Sequence, residues 1–378
     1  ATLFSEISLP LRTTQPGVEI SLRPVGLTFA HIPFTTPCTS FVKFFSVAVA
    51  SGCPLVLMAS AHASLFSSVA AKLVEEMGLP RGMMSVLCGN FELFRSGCQD
   101  KRVKAVIYRG SREHSMTIRH ENFEILGRPT IVQSGGKNAA LIHPSADIGK
   151  AAQVVLFGCL KSAGQLCTST SRVFVPSSKL PEFADALVSL TRKLEIGPTD
   201  RPDANPMMGP LYSRKAVDKF LRFQTMAKRE AKKTIQWGKA VDIDGSGGFF
   251  VTPGIHILAE PSRVSAYQSN VLLFPDLAIY EYNEVDQAVA GVNHTDAPLV
   301  VSVLTNDPSF IEEFDFVAPN VAVNLPTVEF EAQLPVAGRG PCGSVRHNGI
   351  VMVENLTYPI AKLMHDPSVD VMGTWLST

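Results

Sequence analysis

The chain has 378 residues, 46% of them hydrophobic and 18% charged, enough to bury a large core in two or three domains. Its 34 Lys and Arg balance 34 Asp and Glu, so no net field draws it to nucleic acid or to an anionic membrane. No apolar run reaches the roughly 20 residues needed to cross a bilayer; residues 41–58 come closest but carry Lys43, Gly52 and Pro54. The seven cysteines (Cys38, Cys53, Cys88, Cys98, Cys159, Cys167, Cys342) are scattered and include no Cys-x-x-Cys pair. That usage fits a reducing cytoplasm better than a disulfide scaffold or a zinc site. His31, His62, His114, His120 and His143 share no ligand spacing, and no metal is expected.

Taken in order, residues 1–17 have mixed polarity with Pro10 and Pro16 and read as an extended lead-in. Residues 21–32 are apolar and β-favouring and stop at Pro33, as one buried strand would. A helical pattern over 41–50 passes through Gly52 and Pro54 to a strand at 55–58. The next helix, 64–77, stops at Gly78 with Pro80 beyond it, and 83–87 and 103–108 are further strands. Arg109-Gly110-Ser111-Arg112-Glu113 then opens a helix, where glycine permits close backbone approach and a helix N-terminus attracts phosphate. A strand over 129–133 runs into Gly135-Gly136, the expected boundary between two domains.

Helix 148–162, strand 172–176 and helix 179–194 follow, and 213–230 has helical periodicity with a charged face. Residues 245–248 are glycine-rich, but 249–253 after them read as hairpin and strand rather than phosphate loop. Residues 321–324 are another strand. Alternating strand and helix of this kind predicts an α/β architecture of doubly wound parallel sheets. The chain shows no internal repeat and no low-complexity segment.

The organising stretch is Ser162-Ala163-Gly164-Gln165-Leu166-Cys167-Thr168, which sets a cysteine among small and amide residues. Its thiolate becomes a nucleophile where the site supplies positive potential, a base or backbone N–H groups; a buried, inert cysteine is the alternative. Gly164-Gln165-Leu166-Cys167-Thr168 and the upstream Gln133-Ser134-Gly135-Gly136-Lys137-Asn138 together resemble the aldehyde dehydrogenase superfamily, and the distance from Gln133 to Cys167 matches the family's spacing between general base and nucleophile. Ile32-Pro33-Phe34-Thr35-Thr36-Pro37 resembles the family's Ile-Pro-Trp-Asn-Phe-Pro, and Arg109-Gly110-Ser111-Arg112-Glu113 its Phe-Thr-Gly-Ser-Thr-Glu. Val271–Pro275 aligns with Glu-x-Phe-Gly-Pro, and residues 334–343 resemble the last active-site loop. The tail, Tyr358-Pro359-Ile360-Ala361, is similar to the N-succinylglutamate semialdehyde dehydrogenase branch.

The resemblance implies a Rossmann-like cofactor-type domain over 1–132, lacking helices the family usually carries before it. A catalytic domain over 133–346 follows, with an oligomerisation extension over 347–378 in which β-favouring 351–353 pairs strands across a homodimer. It implies that Cys167 attacks a small (semi)aldehyde, that hydride passes to NAD or NADP, and that activated water hydrolyses the thioester. Several functional positions depart from the pattern. Gln133 stands at the general-base position, and an amide does not titrate there; Thr35 stands where an Asn amide holds the oxyanion. Pro33, Gly110 and Ser111 keep part of the cofactor turn, whereas Met58 and Val271 replace the Lys and Glu that grip the ribose hydroxyls. NAD or NADP is therefore expected to bind weakly or not at all. Three readings remain open: an impaired aldehyde dehydrogenase, a CoA-acylating relative in which a thiol takes the acyl group, and a catalytically inactive pseudoenzyme serving as a structural or binding subunit.

Overall fold

The structure is a computed structural model that describes residues 18–364 except 126, 200–205, 244, 246, 308, 314, 330–337, 344–347 and 350. The lead-in over 1–17 and residues 334–337 of the last loop lie outside the described residues. The stretch 21–32 is two strands rather than one. β1 (Val18–Pro24) ends at proline, and after Gly26, at φ +118°, β2 (Thr28–Ile32) starts in a different sheet. A φ of that size is open to glycine and strained for other residues, so Gly26 is where the apolar run breaks.

β2 joins β3 (Leu55–Ser60), β4 (Met84–Gly89), β5 (Ala105–Arg109) and β6 (Thr130–Gln133) in an all-parallel sheet of order β4-β3-β2-β5-β6. The strand order reverses between β2 and β5, and the carboxyl ends of two such strands open the crevice in which doubly wound sheets bind ligands. Pro33 and Thr35 follow β2, and Gly110 follows β5, at this crevice. Helix Pro37–Ser51 starts with proline at its first turn, where a missing N–H costs nothing. It buries Ser40, Phe41, Phe44, Val47, Ala48 and Ser51 and stops at left-handed Gly52. Helix Phe91–Cys98, which the sequence reading lacked, is two turns long, capped by the Asn90 side chain on Leu93 N–H, and buries only Phe94 and Cys98. So short an apolar face leaves little periodicity to read.

The second sheet contains β7 (Asn138–Ile142), β8 (Thr170–Pro176) and β9 (Ala231–Gln236); a small hairpin of β10 (Ala240–Val241) and β11 (Phe250–Val251) precedes β12 (Gly254–Leu258), β13 (Asp276–Tyr282), β14 (Val300–Leu304) and β15 (Asn320–Val323). Its order is β15-β14-β7-β8-β13-β12-β9, parallel except where edge strand β9 runs against β12. Every residue of β7, β12 and β14 is buried. Strands covered on both faces read as near-continuous apolar runs, broken here by Asn138, His256 and Ser302. Helices Ile148–Leu160, Leu180–Arg192, Arg214–Glu230 and Val285–Asn293 belong to this half. The first of them ends at Leu160, two residues before the expected 162, and gives way to a 3-10 turn, Lys161–Gly164.

Residues 351–353 do not form a strand. They open helix Val351–Asn355, whose Met352 and Val353 sink with Leu356 into the core of the first sheet beside Phe41, Phe44 and Val47. Burial of that apolar trio overrides the β preference of two valines. The strand comes later: β16 (Thr357–Leu363) pairs antiparallel with β1 of the same chain, from Val18↔Leu363 to Pro24↔Thr357. Among the described residues, no helix is long and apolar enough to cross a membrane.

Candidate active site

Cys167 lies on the loop between the 3-10 turn and β8 and is partly exposed, whereas Cys159 and Cys342 are buried. The turn before it is conformationally unusual: Ser162, Ala163 and Gly164 are all left-handed, at φ 55°, 54° and 68°. Two non-glycine residues in that region cost on the order of 1–3 kcal/mol each. Gly164 lies so close to the backbone of Phe274 and Pro275 that a Cβ has no room. Hydrogen bonds hold the strained turn. Gln165 Nε2 donates to Ser162 O (3.1 Å), and Gln165 Oε1 accepts from Tyr212 N–H (3.0 Å). The carbonyl of Cys167 accepts from Gly136 N–H (3.1 Å) and from Asn138 Nδ2 (3.0 Å). Asn138 also donates to Ser169 O (3.0 Å) and accepts from Val300 N–H (3.1 Å). The two sequence motifs are thus one structural unit. A Cβ on Gly135 would lie 3.6 Å from Cys167 Cα and 2.9 Å from Val271 Cγ1, so the glycine is needed for the approach.

Gln133 is the last residue of β6, only 8% exposed, and its Oε1 has no hydrogen-bond partner. The segment 338–343 folds against it: Gln133 bridges to Gly343, Ser134 N–H donates to Cys342 O (3.0 Å), and the Cys342 thiol donates to Gly135 O (3.5 Å). Burial pushes the Cys342 thiol up to about 12, so it stays protonated. Register places Arg109 of β5 directly beside Gln133, and paired residues of parallel strands project from the same face.

Arg109 brings a cation to the nucleophile. Its guanidinium donates to Ser40 Oγ (2.7 Å) and is near enough to Cys167 for their charges to interact, while its carbonyl accepts from His31 Nδ1 (2.8 Å). Burial lowers its pKa from the usual arginine value, which still leaves it charged. Lys43, one turn beyond Ser40 on the same helix, is close enough to feel both Arg109 and Cys167; burial, and then the charge of Arg109, hold it well below the usual lysine value. Among the described residues neither cation has an acidic partner. His31 stacks on Tyr108 with centroids 4.8 Å apart and is held neutral, burial pushing it down to about 4.

The remaining candidates have plainer places. Pro33 and Thr35 sit in the half-buried turn after β2. Met58 is fully buried among Phe29, Phe94, Tyr108 and Val132, so it is a core side chain rather than a groove lining. Val271 packs on Ala297, Leu299, Val300 and Cys342. At the Gly110–Ser111 turn, Gly110 N–H donates to Gln133 O (3.1 Å), and Ser111 Oγ accepts from His114 N–H, capping its own helix, Arg112–Phe123. A nicotinamide dinucleotide needs ribose hydrogen-bonding groups and free backbone donors at its phosphates. The side chains present do not fit that need. Among the described residues no three His, Cys, Asp or Glu side chains gather as a metal site.

A doubly wound pair of sheets carries a strained cysteine loop pinned to a Gly-Gly turn, and residues 5–359 match the sequence model of the aldehyde dehydrogenase family. This chain belongs to that family. It is 25% identical to aldehyde dehydrogenase family 2 member C4 of Arabidopsis thaliana over 337 residues, 88% of this chain and 65% of that protein. It is 26% identical to the chloroplastic betaine aldehyde dehydrogenase of Amaranthus hypochondriacus over 344 residues, 91% of this chain and 66% of that protein. The chain therefore spans just under two thirds of the length of these relatives. The crystal structure of Mycobacterium tuberculosis aldehyde dehydrogenase complexed with NAD+ superposes with TM-score 0.86 at 25% identity, covering 95% of this chain and 73% of that one.

Sequence reasoning placed Cys167 and Gln133 but passed over Arg109, Lys43 and Ser40. The signal for Arg109 was the departure itself, an arginine where the family motif has the threonine of Thr-Gly-Ser. Nothing in the linear pattern tells that this side chain reaches Ser40, 69 residues earlier.

Proposed function

We propose that the chain is an aldehyde dehydrogenase family member of impaired activity, in which Cys167 adds to the carbonyl of a small (semi)aldehyde or activated ester and the later steps are slow. The observation that carries this reading is the Cys167 loop itself: a partly exposed thiol on a strained turn, held by Gln165, Gly136 and Asn138. Two neutral polar groups stand where the family has working ones. Gln133 cannot accept a proton from water, and a general base typically contributes about 10²–10⁴ in rate. Thr35 offers a short hydroxyl as oxyanion donor, and loss of one such donor costs about 10²–10³.

The division into a cofactor-type unit over 1–132, a catalytic unit over 133–346 and an extension over 347–378 is supported by the two sheets, with β6 ending the first and β7 opening the second. A homodimer is proposed through the β1–β16 ribbon, since among the described residues each of its strands pairs on one side only. Seven free cysteines support a reducing, cytoplasmic setting. The N-succinylglutamate semialdehyde branch is proposed on Tyr358–Ala361 alone.

The test is p-nitrophenyl acetate turnover, because acylation from an ester needs no hydride acceptor. Wild type gives a burst of one p-nitrophenolate per chain followed by a slow steady state, and Cys167→Ala gives none. Equal behaviour of the two proteins would replace this reading with that of a pseudoenzyme.

A further inference from the structure

Both lone pairs of the Cys167 carbonyl are engaged, by Gly136 N–H at 3.1 Å and by Asn138 Nδ2 at 3.0 Å. Cys167 also sits in a turn closed by Ser169 N–H on Leu166 O (3.1 Å), as the second of its four residues. The same Asn138 nitrogen donates to Ser169 O (3.0 Å), so one amide grips the carbonyls of the second and fourth residues of that turn. Asn138 opens β7, is 1% exposed, and is itself held by Val300 N–H of β14 on its Oδ1 (3.1 Å). Strand register aims it. Asn138 pairs with Thr170 and Ala139 with Arg172, so Ser171 is an extra residue on β8, and its Oγ donates to Asn138 O (3.2 Å). An extra residue of this kind bends a strand and re-aims the side chains beside it. A buried amide is tolerated only through its bonds, and all three of those made by the Asn138 side chain leave its own strand, two of them converging on the cysteine turn. Upstream, Ser162 and Ala163 hold positive φ without being glycine. Such strain persists only where the surroundings over-determine it, so a loop freed of its clamp has somewhere to relax.

We propose that Asn138 is the positioning residue of the nucleophile: by holding the carbonyls of Cys167 and Ser169 it fixes the direction in which the thiol leaves the turn, and through that the rate at which the sulfur adds to a carbonyl carbon. The proposal rests on the reading that Cys167 is acylated. Asn138 acts through the Cys167 backbone and does not touch the substrate. In acylation by an ester, the thiolate forms the C–S bond, the carbonyl electron pair moves to oxygen and returns, and the C–O bond breaks to release the phenolate. The sulfur has to reach the carbon while the substrate oxygen meets donors held by another part of the chain, Thr35 being the candidate, so the direction of the thiol enters the rate. The Gly135-Gly136 turn lets the two segments approach, and Asn138 sets where the approach ends.

Two rates measured on the full chain test this. The first is the limiting rate of the p-nitrophenolate burst with p-nitrophenyl acetate, which needs the sulfur aimed at a carbonyl. The second is alkylation of Cys167 by iodoacetamide, followed on its own peptide because Cys38 and Cys88 are also exposed; this displacement develops no oxyanion and proceeds from any open side. Both are taken on the plateau above the thiol's titration, so that a change in the fraction of thiolate does not enter. Asn138→Asp keeps an acceptor for Val300 N–H and loses both donors, whereas Asn138→Leu is close in volume and loses all three bonds. Each should lower the burst rate about 10²-fold, the effect of an ångström's misplacement, with the half-saturating ester concentration little changed. Alkylation should stay within about threefold of wild type, because it follows thiolate character and access. Circular dichroism checks each fold, and Asn138→Asp carries the test where Asn138→Leu does not fold. A wild-type burst rate in Asn138→Asp would overturn the proposal and leave Asn138 as a strut to Val300. Equal losses in burst and alkylation would overturn it too, since a loosened loop slows both. A wild type without a burst would overturn the function on which the proposal rests, and the proposal with it; variants that match a bursting wild type would overturn the positioning role alone.

Discussion

Replacing Gln133 by glutamate should restore a deacylation step and reveal what Arg109 does to it. The substitution is nearly isosteric, at a position only 8% exposed whose Oε1 has no partner to lose. A working base in this place is worth about 10²–10⁴ in rate. The full factor is not expected, because the new carboxylate stands beside Arg109 in the β5–β6 register. An opposite charge within about 4–6 Å lowers a carboxylate pKa by about 1–3 units and weakens it as a base, although burial pulls the other way. The expected gain in Gln133→Glu is therefore at the low end, about 10–10²-fold. Gln133→Glu combined with Arg109→Thr should move toward the upper part of the range. The assay is the lifetime of the acetyl group on protein freed of excess p-nitrophenyl acetate, read by intact mass. If acetyl-enzyme forms in all three proteins and decays at one rate, Gln133 is not at the base position and the reasoning fails.

His31 makes stability depend on pH. Its folded pKa is depressed to about 4 by burial against an ordinary 6.5, so the folded chain binds fewer protons between those values. The contribution is fully present above about pH 6.5 and is lost as pH falls toward 4, about 3 kcal/mol over the window. Urea denaturation of wild type and His31→Phe across that range should show the steeper loss in wild type, and parallel curves would contradict it. Arg172 donates to the carbonyls of Lys137 (3.2 and 2.8 Å), Gly291 (3.1 Å) and Val292 (3.0 Å), tying β8 to the Gly-Gly-Lys turn. Arg172→Met should cost about 3–5 kcal/mol of unfolding free energy, from charge-assisted bonds of roughly 1.5–3 kcal/mol each. A loss below about 1 kcal/mol, the size of an ordinary substitution, would show that other donors replace it. Calorimetry with NAD or NADP should give no micromolar binding, since Met58 is core and Gly110 N–H is already bonded to Gln133 O; a micromolar constant would refute that.

The strands were legible where both faces are covered. The runs read as strands at 55–58, 103–108 and 172–176 correspond to Leu55–Ser60, Ala105–Arg109 and Thr170–Pro176, and the Cys167 and Gly135-Gly136 motifs stand out by local composition. What was not legible depends on partners distant in sequence. Two valines at 351 and 353 read as strand until Phe41 and Phe44 are known to lie beneath their helix. The break at Gly26 needs a lone glycine to be recognised as a change of sheet. Met58 reads as a missing cofactor contact until it proves to be packed against Phe94 and Tyr108. The Arg109–Ser40 bond is tertiary: it joins a strand end and a helix that meet at the crevice between β2 and β5.

The central claim is that Cys167 remains a working nucleophile on a scaffold with Gln133 at the expected general-base position. It is tested most directly by mapping the acetyl group after brief exposure of the full chain to p-nitrophenyl acetate, quenching in acid and sequencing the peptides by mass spectrometry. The account predicts one acetyl group per chain, on the peptide containing Cys167, with exposed Cys38 and Cys88 unmodified on the same timescale. Acetylation spread over the exposed cysteines and lysines with Cys167 bare would contradict it.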